Sequence, residues 1–201
     1  MGLVKETKKL QYLKLKDGNF FMKDDETPYS ELSGMVKSVT LKTTNVEGTD
    51  IENLNICVES EGEKYVVSTN FTTQCALALV ACLKSANINE PMVFVPILEK
   101  ERPGADKRYS SILIKQGDVF LKRFFTKDSP NGMPPTKEMT LNGKTVYDKT
   151  ERLAFLRNVV NNELNPSIKK DVVVETIAVG DVDIDDVVHS STEDIDDDLP
   201  F

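Results

Sequence analysis

The chain has 201 residues, of which 39% are hydrophobic and 29% charged, a composition typical of a globular domain with appendages. It contains no apolar run near the ~18 residues that a membrane-spanning helix needs, and no apolar secretory signal at its N-terminus, which predicts a cytoplasmic protein. The net charge of −8 argues against an anionic partner, yet residues 171–201 hold 11 of the 33 acids and no Lys or Arg. Residues 1–170 carry 25 basic and 22 acidic side chains, so the acidity belongs to the end of the chain.

The first predicted element is a β-hairpin over residues 10–23. Asp17-Gly18 separates two alternating runs, and a type I′ turn favours this dipeptide because both central residues need a positive φ. The turn pairs Leu15 with Phe20 and Leu13 with Met22. The opposite face, where Lys14 pairs with Phe21 and Tyr12 with Lys23, mixes aromatic and cationic side chains: Tyr12, Lys14, Phe21 and Lys23.

Six further stretches alternate as strands do, at residues 35–43, 54–59, 64–69, 91–99, 109–115 and 119–125, with a loop predicted at residues 45–50. An apolar helix at residues 72–86, capped by Asn70 or Thr72, lies between the third and fourth of them. Three strands, a helix and two strands are the order of an OB-fold, a five-stranded Greek-key barrel. We therefore predict a mainly β protein whose OB barrel covers about residues 34–125, with the N-terminal hairpin as an addition.

A second helix is predicted at residues 148–164, after a loop-rich stretch at residues 128–147. One face of it carries the apolar residues Leu153, Leu156, Val160 and Leu164. This face is expected to pack on the barrel, with Asn165-Pro166 ending the helix. From residue 171 the chain is acidic and has no aromatic residue before Phe201, a composition that predicts disorder. The chain thus divides into a folded domain at residues 1–170 and an acidic tail at residues 171–201.

Three surfaces combine cations, which can follow phosphates, with aromatic rings on which unpaired bases can stack. The first is the hairpin face described above, and the second is the strand at residues 119–125, with Phe120 and Lys122 on one side. The third is the loop between the fourth and fifth barrel strands, with Lys100, Arg102, Lys107, Arg108 and Tyr109. OB-folds bind oligonucleotides through this loop, the loop between strands one and two, and the face of strands two and three. Lys42 and Tyr65 are therefore further candidates.

The sequence offers no catalytic or metal-binding set. His189 is the sole histidine, which excludes a His-based triad, and no glycine-rich phosphate loop is present. Cys57, Cys75 and Cys82 form no C-x-x-C pair and are interpreted as buried thiols. We therefore predict neither enzymatic activity nor a cofactor, and a metal-dependent nuclease is the least favoured alternative.

The last six residues form an unusual peptide, in which three acids precede an apolar end: Asp196, Asp197, Asp198, Leu199, Pro200 and Phe201. Such a peptide suits a partner with an apolar pocket for the phenyl ring and basic groups for the carboxylates. It resembles the C-terminal peptide of bacterial single-stranded DNA-binding proteins. The resemblance implies an OB-fold, sequence-independent binding of single-stranded DNA (ssDNA), no cofactor, and a tail that docks on a polymerase, primase or helicase.

The resemblance covers these six residues alone. The bacterial proteins also have stacking tryptophans and a Gly-rich linker, which this chain lacks, whereas its hairpin and second helix are similar to the bacteriophage type. We therefore predict a phage-type ssDNA-binding protein that acts in DNA replication, recombination and repair, in the cytoplasm of a bacterial host. The alternative is an OB-fold interaction adaptor that binds no DNA. The oligomeric state stays open.

Overall fold

The computed structural model describes residues 10–23, 25–98, 110–141 and 144–169. Eight strands form one mixed sheet: β1 (Gln11–Lys16), β2 (Asn19–Met22), β3 (Leu32–Val46), β4 (Thr49–Ser60), β5 (Glu63–Asn70), β6 (Met92–Leu98), β7 (Ser110–Gln116) and β8 (Val119–Phe120). Their order across the sheet is β2-β1-β5-β4-β3-β6-β7-β8, and β1 and β5 pair in parallel while the other neighbours are antiparallel. The mainly β prediction is confirmed.

The N-terminal hairpin forms in the predicted register. Asp17 and Gly18 have φ values of 49° and 73°, as a type I′ turn requires. Leu15 then faces Phe20 and Leu13 faces Met22, and alternation places Leu13 and Phe20 in the core. The expected pairing of Tyr12 with Lys23 does not form, because β2 ends at Met22.

Strand β3 bends so that it can pair with two different neighbours. Leu32–Gly34 pair with β6, and from Met35 onward the strand pairs with β4. A Cβ at position 34 would lie 2.3 Å from Glu59 O, so only glycine fits where the strand changes partner. The loop predicted at residues 45–50 is wrong, since β3 runs to Val46, β4 begins at Thr49, and the turn between them has only two residues.

The sheet is open, and the closed five-stranded barrel expected from the sequence is not confirmed. In the described chain one edge of β5 pairs with β4 and the other pairs with β1, which places Gln11 opposite Tyr65 and Leu13 opposite Val67. The turn of the same hairpin lies against the other end of the sheet, where Gly18 N donates a hydrogen bond to Ser110 Oγ at 3.2 Å. The hairpin therefore lies between the edge of β5 and the start of β7.

Helix α1 (Gln74–Ser85) lies where the sequence predicts it and is buried from Ala76 to Leu83. Its N-cap is Thr73, whose Oγ1 accepts a hydrogen bond from Ala76 N at 3.3 Å, rather than Asn70 or Thr72. Asn70 lies before the helix. Its side chain accepts a hydrogen bond from Thr72 N, which stabilises the turn that leads into α1. The helix packs with the core face of the sheet around Phe71 and Leu79.

The predicted second helix is divided into three segments: α2 (Thr150–Asn158), a π-helical segment (Val159–Leu164) and α3 (Asn165–Ser167). Asn165-Pro166 does not end it, because proline is tolerated in the first turn of α3. Leu156, Val160 and Leu164 are buried in the common core, so the predicted packing face is confirmed. Within the described ranges, no helix combines the length and apolarity needed to cross a membrane.

Two other stretches differ from the prediction. The strand predicted at residues 119–125 is only two residues long, because the chain leaves β7 and Phe124 N donates to Ala81 O on α1 at 2.9 Å. The stretch predicted as a loop instead contains a second, two-stranded sheet made of β9 (Lys137–Leu141) and β10 (Lys144–Asp148). The first difference has no local sequence signal, because a contact with α1 decides it. Asn142-Gly143 is a hairpin turn signal that could have indicated the second.

Candidate nucleic-acid interface

The outer face is the side of β1–β5 that points away from the core. Because side chains alternate along a strand, the residues next to the buried positions Leu13, Leu54 and Val67 lie on it. It is formed by Tyr12, Lys14, Lys16, Asn19, Phe21, Ser38, Thr40, Lys42, Asn53, Asn55, Cys57, Glu59, Lys64, Val66 and Ser68. The face is thus polar and basic, with an aromatic group at the hairpin.

One cross-strand row runs across the middle of the outer face. Tyr12 pairs with Val66, Val66 with Cys57, and Cys57 with Ser38. Four neighbouring strands span about 14 Å, since each spacing is about 4.8 Å. The Tyr12 side chain is 43% exposed, while Val66, its cross-strand neighbour, is buried, so the tyrosine is accessible at the surface of the outer face.

Exposed lysines surround this row. Lys14 and Lys16 lie on β1, Lys64 on β5 and Lys42 on β3, and all four are exposed. The carboxylate of Glu59 on the same face is paired with Lys37 Nζ at 3.1 Å, which removes most of its repulsion for an anion. The outer face therefore presents four exposed lysines around a tyrosine, which is a surface suited to a polyanion with flat groups.

Two polar groups on the outer face are less accessible to water. The side-chain oxygen Oδ1 of Asn55 is buried and has no hydrogen-bond partner in the described chain, a state that a bound donor would relieve. Burial raises the pKa of the Cys57 thiol, and nearby Lys64 opposes this shift only in part. Cys57 is thus a neutral, half-buried thiol at the centre of the face.

The structure brings together four of the residues proposed from the sequence. Tyr12, Lys14 and Phe21 lie on the hairpin part of the outer face, and Lys42 lies at its far edge on β3. Lys23 is exposed but follows the end of β2. Tyr65 lies on the opposite face, half-buried against the core, because it pairs with Val58 and Gln11.

The other proposed residues lie elsewhere. Phe120 is 48% exposed on β8, with Lys115 Nζ 4.8 Å from the centre of its ring, and Lys122 is exposed in the irregular segment that follows. The loop candidates fall outside the described residues: Lys100, Arg102, Lys107, Arg108 and Tyr109. So does the whole tail peptide: Asp196, Asp197, Asp198, Leu199, Pro200 and Phe201.

Sequence reasoning missed several members of the outer face. Lys16, Lys64, Cys57 and Val66 belong to it because of the strand register. Because side chains alternate along residues 64–68, the sequence could have predicted that Lys64 lies on the face of the strand away from the core. The parallel pairing of β1 with β5 has no such signal, because the two strands are far apart in sequence and come together only through the fold.

No group of three His, Cys, Asp or Glu side chains that could hold a metal ion occurs in the parts of the chain that the structure describes. Comparisons with protein-family models, with curated proteins and with solved structures find no match for this chain.

Proposed function

We propose that this protein binds single-stranded DNA without sequence preference and protects it during DNA replication, recombination and repair in a bacterial cytoplasm. The observation that carries the proposal is the outer face, where Tyr12 lies in a cross-strand row with Val66 and Cys57 among four exposed lysines. Lysines can follow the phosphates, and the tyrosine ring can stack on a base of any identity.

The order of the strands supports an OB-type domain. The central strands lie in the order β5-β4-β3-β6-β7, with α1 between β5 and β6 in the chain. This is the connectivity of an OB-fold in which the N-terminal hairpin occupies the position where the barrel would close. In that comparison β4 and β5 correspond to strands two and three, whose outer face binds oligonucleotides in OB-folds.

The basic loop and the tail complete the proposal. Lys100, Arg102, Lys107, Arg108 and Tyr109 follow β6 in the chain and would extend the basic surface along the strand of DNA. We assign the tail peptide at residues 196–201 to the recruitment of a polymerase, primase or helicase, since carboxylates beside an apolar end suit a basic-edged pocket. The N-terminal hairpin and the helical segment at residues 150–167 favour the bacteriophage type of ssDNA-binding protein, whereas the tail peptide resembles that of the bacterial proteins.

Charge reversal on the outer face tests the proposal. The double variant Lys14→Glu, Lys42→Glu is expected to weaken binding of a labelled mixed-sequence oligonucleotide by about tenfold or more at moderate salt, because two phosphate contacts become repulsive. The matched control is Lys149→Glu, Lys169→Glu, which changes the net charge equally around α2 and α3. Equal affinity losses for the two variants, measured by fluorescence anisotropy, would contradict a specific role of the outer face.

An interaction adaptor that binds no DNA is the second candidate. It is favoured by exposed apolar side chains at the other end of the sheet, where Leu113, Val119 and Phe120 are 37%, 67% and 48% exposed, because apolar patches mark protein contacts. Deleting residues 194–201 separates the two candidates. An ssDNA-binding protein keeps its DNA affinity and loses partner recruitment, whereas an adaptor has no DNA binding to keep.

A further inference from the structure

A groove of about 760 Å³ lies beside α1, between this helix, residues 123–136 and α2. One stripe of α1 lines it, because the helical spacing places four residues on the same side: Gln74, Leu77, Ala78 and Ala81. Two of the four are alanines, whose small side chains leave room above the helix. The volume is within the range of ~300–1,000 Å³ typical of ligand sites.

The groove has a buried apolar floor and an exposed rim. Ala81, Phe125 and Leu156 in its lining are buried, whereas the rim at residues 126–127 is exposed. Along α1 the groove extends from Gln74 to Ala81, a rise of about 10 Å at about 1.5 Å per residue. This is the length of about three residues of an extended peptide. An open groove of this length fits a short peptide segment.

The charged side chains that line this groove are all cations. Arg123, Lys127 and Arg152 contribute to its wall, and no Asp or Glu does so among the described residues. None of the three forms an ion pair with a carboxylate in the described part of the chain. Arg152 is held in place, since its Nε donates a hydrogen bond to Pro134 O at 3.2 Å. A ligand that fits must therefore combine negative charge with an apolar part.

We propose that this groove binds a short peptide segment of a partner protein, in which Asp or Glu residues flank a leucine or phenylalanine. The carboxylates of the peptide pair with Arg123, Lys127 and Arg152, and its apolar side chain packs on the floor beside Ala81 and Phe125. Charge complementarity selects the acidic part of the peptide, and the buried floor selects the apolar part. The proposal does not depend on DNA binding.

The groove is a poor site for a DNA base, although its cations could attract phosphates. Stacking needs an accessible ring face, and the aromatic ring in its lining, Phe125, is only 5% exposed. The rings of Phe124 and Phe155 contact it nearly at right angles, with 5.1 and 5.4 Å between centroids. An apolar floor without an exposed ring suits Leu and Phe side chains better than stacked bases.

An NMR titration of the isotope-labelled full-length protein tests the proposal. The probe is the synthetic peptide Gly-Asp-Glu-Leu-Phe-Glu-Asp-Gly, which contains both parts of the required chemistry. We expect saturable chemical-shift changes of the backbone amides at residues 74–81, at residues 123–136 and in α2, with a Kd below about 1 mM. Changes confined to β1–β5 of the outer face, or no change at about 1 mM peptide, would overturn the proposal.

Two control peptides separate the acidic part of the ligand from the apolar part. Replacing the four acids by Asn and Gln is expected to weaken binding about tenfold, because the ion pairs with the groove are lost. Replacing Leu-Phe by Ser-Ser is expected to weaken it about tenfold or more, because the apolar side chains no longer cover the floor. Equal affinity of the probe and both control peptides would contradict recognition by the groove.

Two protein variants test the same contacts from the other side. Arg123→Glu with Lys127→Glu is expected to weaken binding of the probe about tenfold, because both ion pairs become repulsive. Ala78→Leu should weaken it similarly, because the larger side chain fills the groove. Circular dichroism verifies that each variant is folded, and the charge variant alone decides if Ala78→Leu does not fold. Unchanged affinity of the folded variants would overturn the proposal.

A control variant and a DNA titration distinguish this proposal from the proposed function. Lys14→Glu with Lys42→Glu should keep the affinity for the peptide within about twofold, even if it abolishes DNA binding. A dT oligomer added instead of the peptide is expected to leave the amides at residues 74–81 and 123–136 unchanged. Shifts of these amides with the oligomer would assign the groove to DNA and overturn the proposal.

Discussion

At the scale of single residues, Gly18 has two structural roles. Its φ of +73° belongs to the left-handed region that the hairpin turn requires. Its backbone also lies so close to β6 that a Cβ at this position would be 2.7 Å from Leu98 N. The same residue therefore sets the turn and allows the hairpin to approach the far end of the sheet.

This double role predicts a large effect for Gly18→Ala. We expect the free energy of unfolding to fall by about 3 kcal/mol, since the left-handed backbone costs ~1–2 kcal/mol and the contact with Leu98 adds an overpacking cost. Gly48→Ala is the matched control, because Gly48 has a φ of +81° but no atom within 4 Å of its Cβ position. The control should lose only about 1 kcal/mol, and urea unfolding of both variants measures the difference. Equal losses would show that the contact with β6 does not contribute.

Cys57 offers a chemical probe of the outer face. Because burial raises the pKa of its thiol, the reactive thiolate should be scarce near neutral pH, and its alkylation rate should increase as the pH rises through that elevated pKa. We predict that bound ssDNA slows the alkylation of Cys57, with Cys75 on α1 as the internal control. Peptide mapping after timed labelling measures both rates. Equal alkylation of Cys57 with and without DNA would place the DNA elsewhere.

At the scale of secondary-structure elements, Arg157 on α2 links the helical segment to the sheet. Its Nε donates hydrogen bonds to both carboxylate oxygens of Glu52 on β4, at 2.9 and 3.0 Å. The guanidinium also lies 5.7 Å from the ring centre of Phe71, and the hydrogen bond from Glu52 raises the pKa of Arg157. A second nitrogen of Arg157, Nη2, lies 2.9 Å from the same carboxylate, so a two-pronged contact joins α2 to β4.

We expect Arg157→Lys to lower the free energy of unfolding by about 1 kcal/mol, because an ammonium group cannot make the two-pronged contact and water screens the partly exposed pair. The matched control is Glu151→Gln, which removes the fully exposed ion pair between Lys137 and Glu151 and should cause no measurable change. Thermal unfolding followed by circular dichroism distinguishes the two variants. An unchanged free energy of unfolding for Arg157→Lys would mean that the contact with Glu52 does not hold α2 in place.

The elements that the sequence predicts correctly are those with a local cause. Asp17-Gly18 determines the turn and register of the hairpin, and an uninterrupted apolar stretch determines α1. Two of the errors have tertiary causes, because Phe124 leaves the sheet to bond Ala81 on α1, and the segment after Asn158 widens into a π-helix as it packs into the core.

The candidate site was partly predictable for the same reason. Tyr12, Lys14 and Phe21 share a face through local alternation within the hairpin, which the sequence contains. Their position beside Val66 and Cys57 requires the parallel pairing of β1 with β5, which joins residues more than 50 positions apart. Tyr65 was proposed for DNA contact, but its pairing with Val58 places it on the core face.

At the scale of the whole molecule, the division of charge is the main feature. The 11 acids of residues 171–201 give the chain its net charge of −8, while residues 1–170 have an excess of cations. The exposed lysines of the outer face lie within residues 1–170 and contribute to this excess. A domain with an excess of cations and a strongly acidic segment thus follow each other in one chain.

The measurement that tests the central claim most directly is a salt titration of binding to mixed-sequence ssDNA and to the same sequence as a duplex. We predict sub-micromolar affinity for the single strand and much weaker binding of the duplex. The affinity should decrease with salt with a log–log slope near about −3, because four exposed lysines contact phosphates at roughly −0.7 each. Equal affinity for the single strand and the duplex at moderate salt would contradict the account.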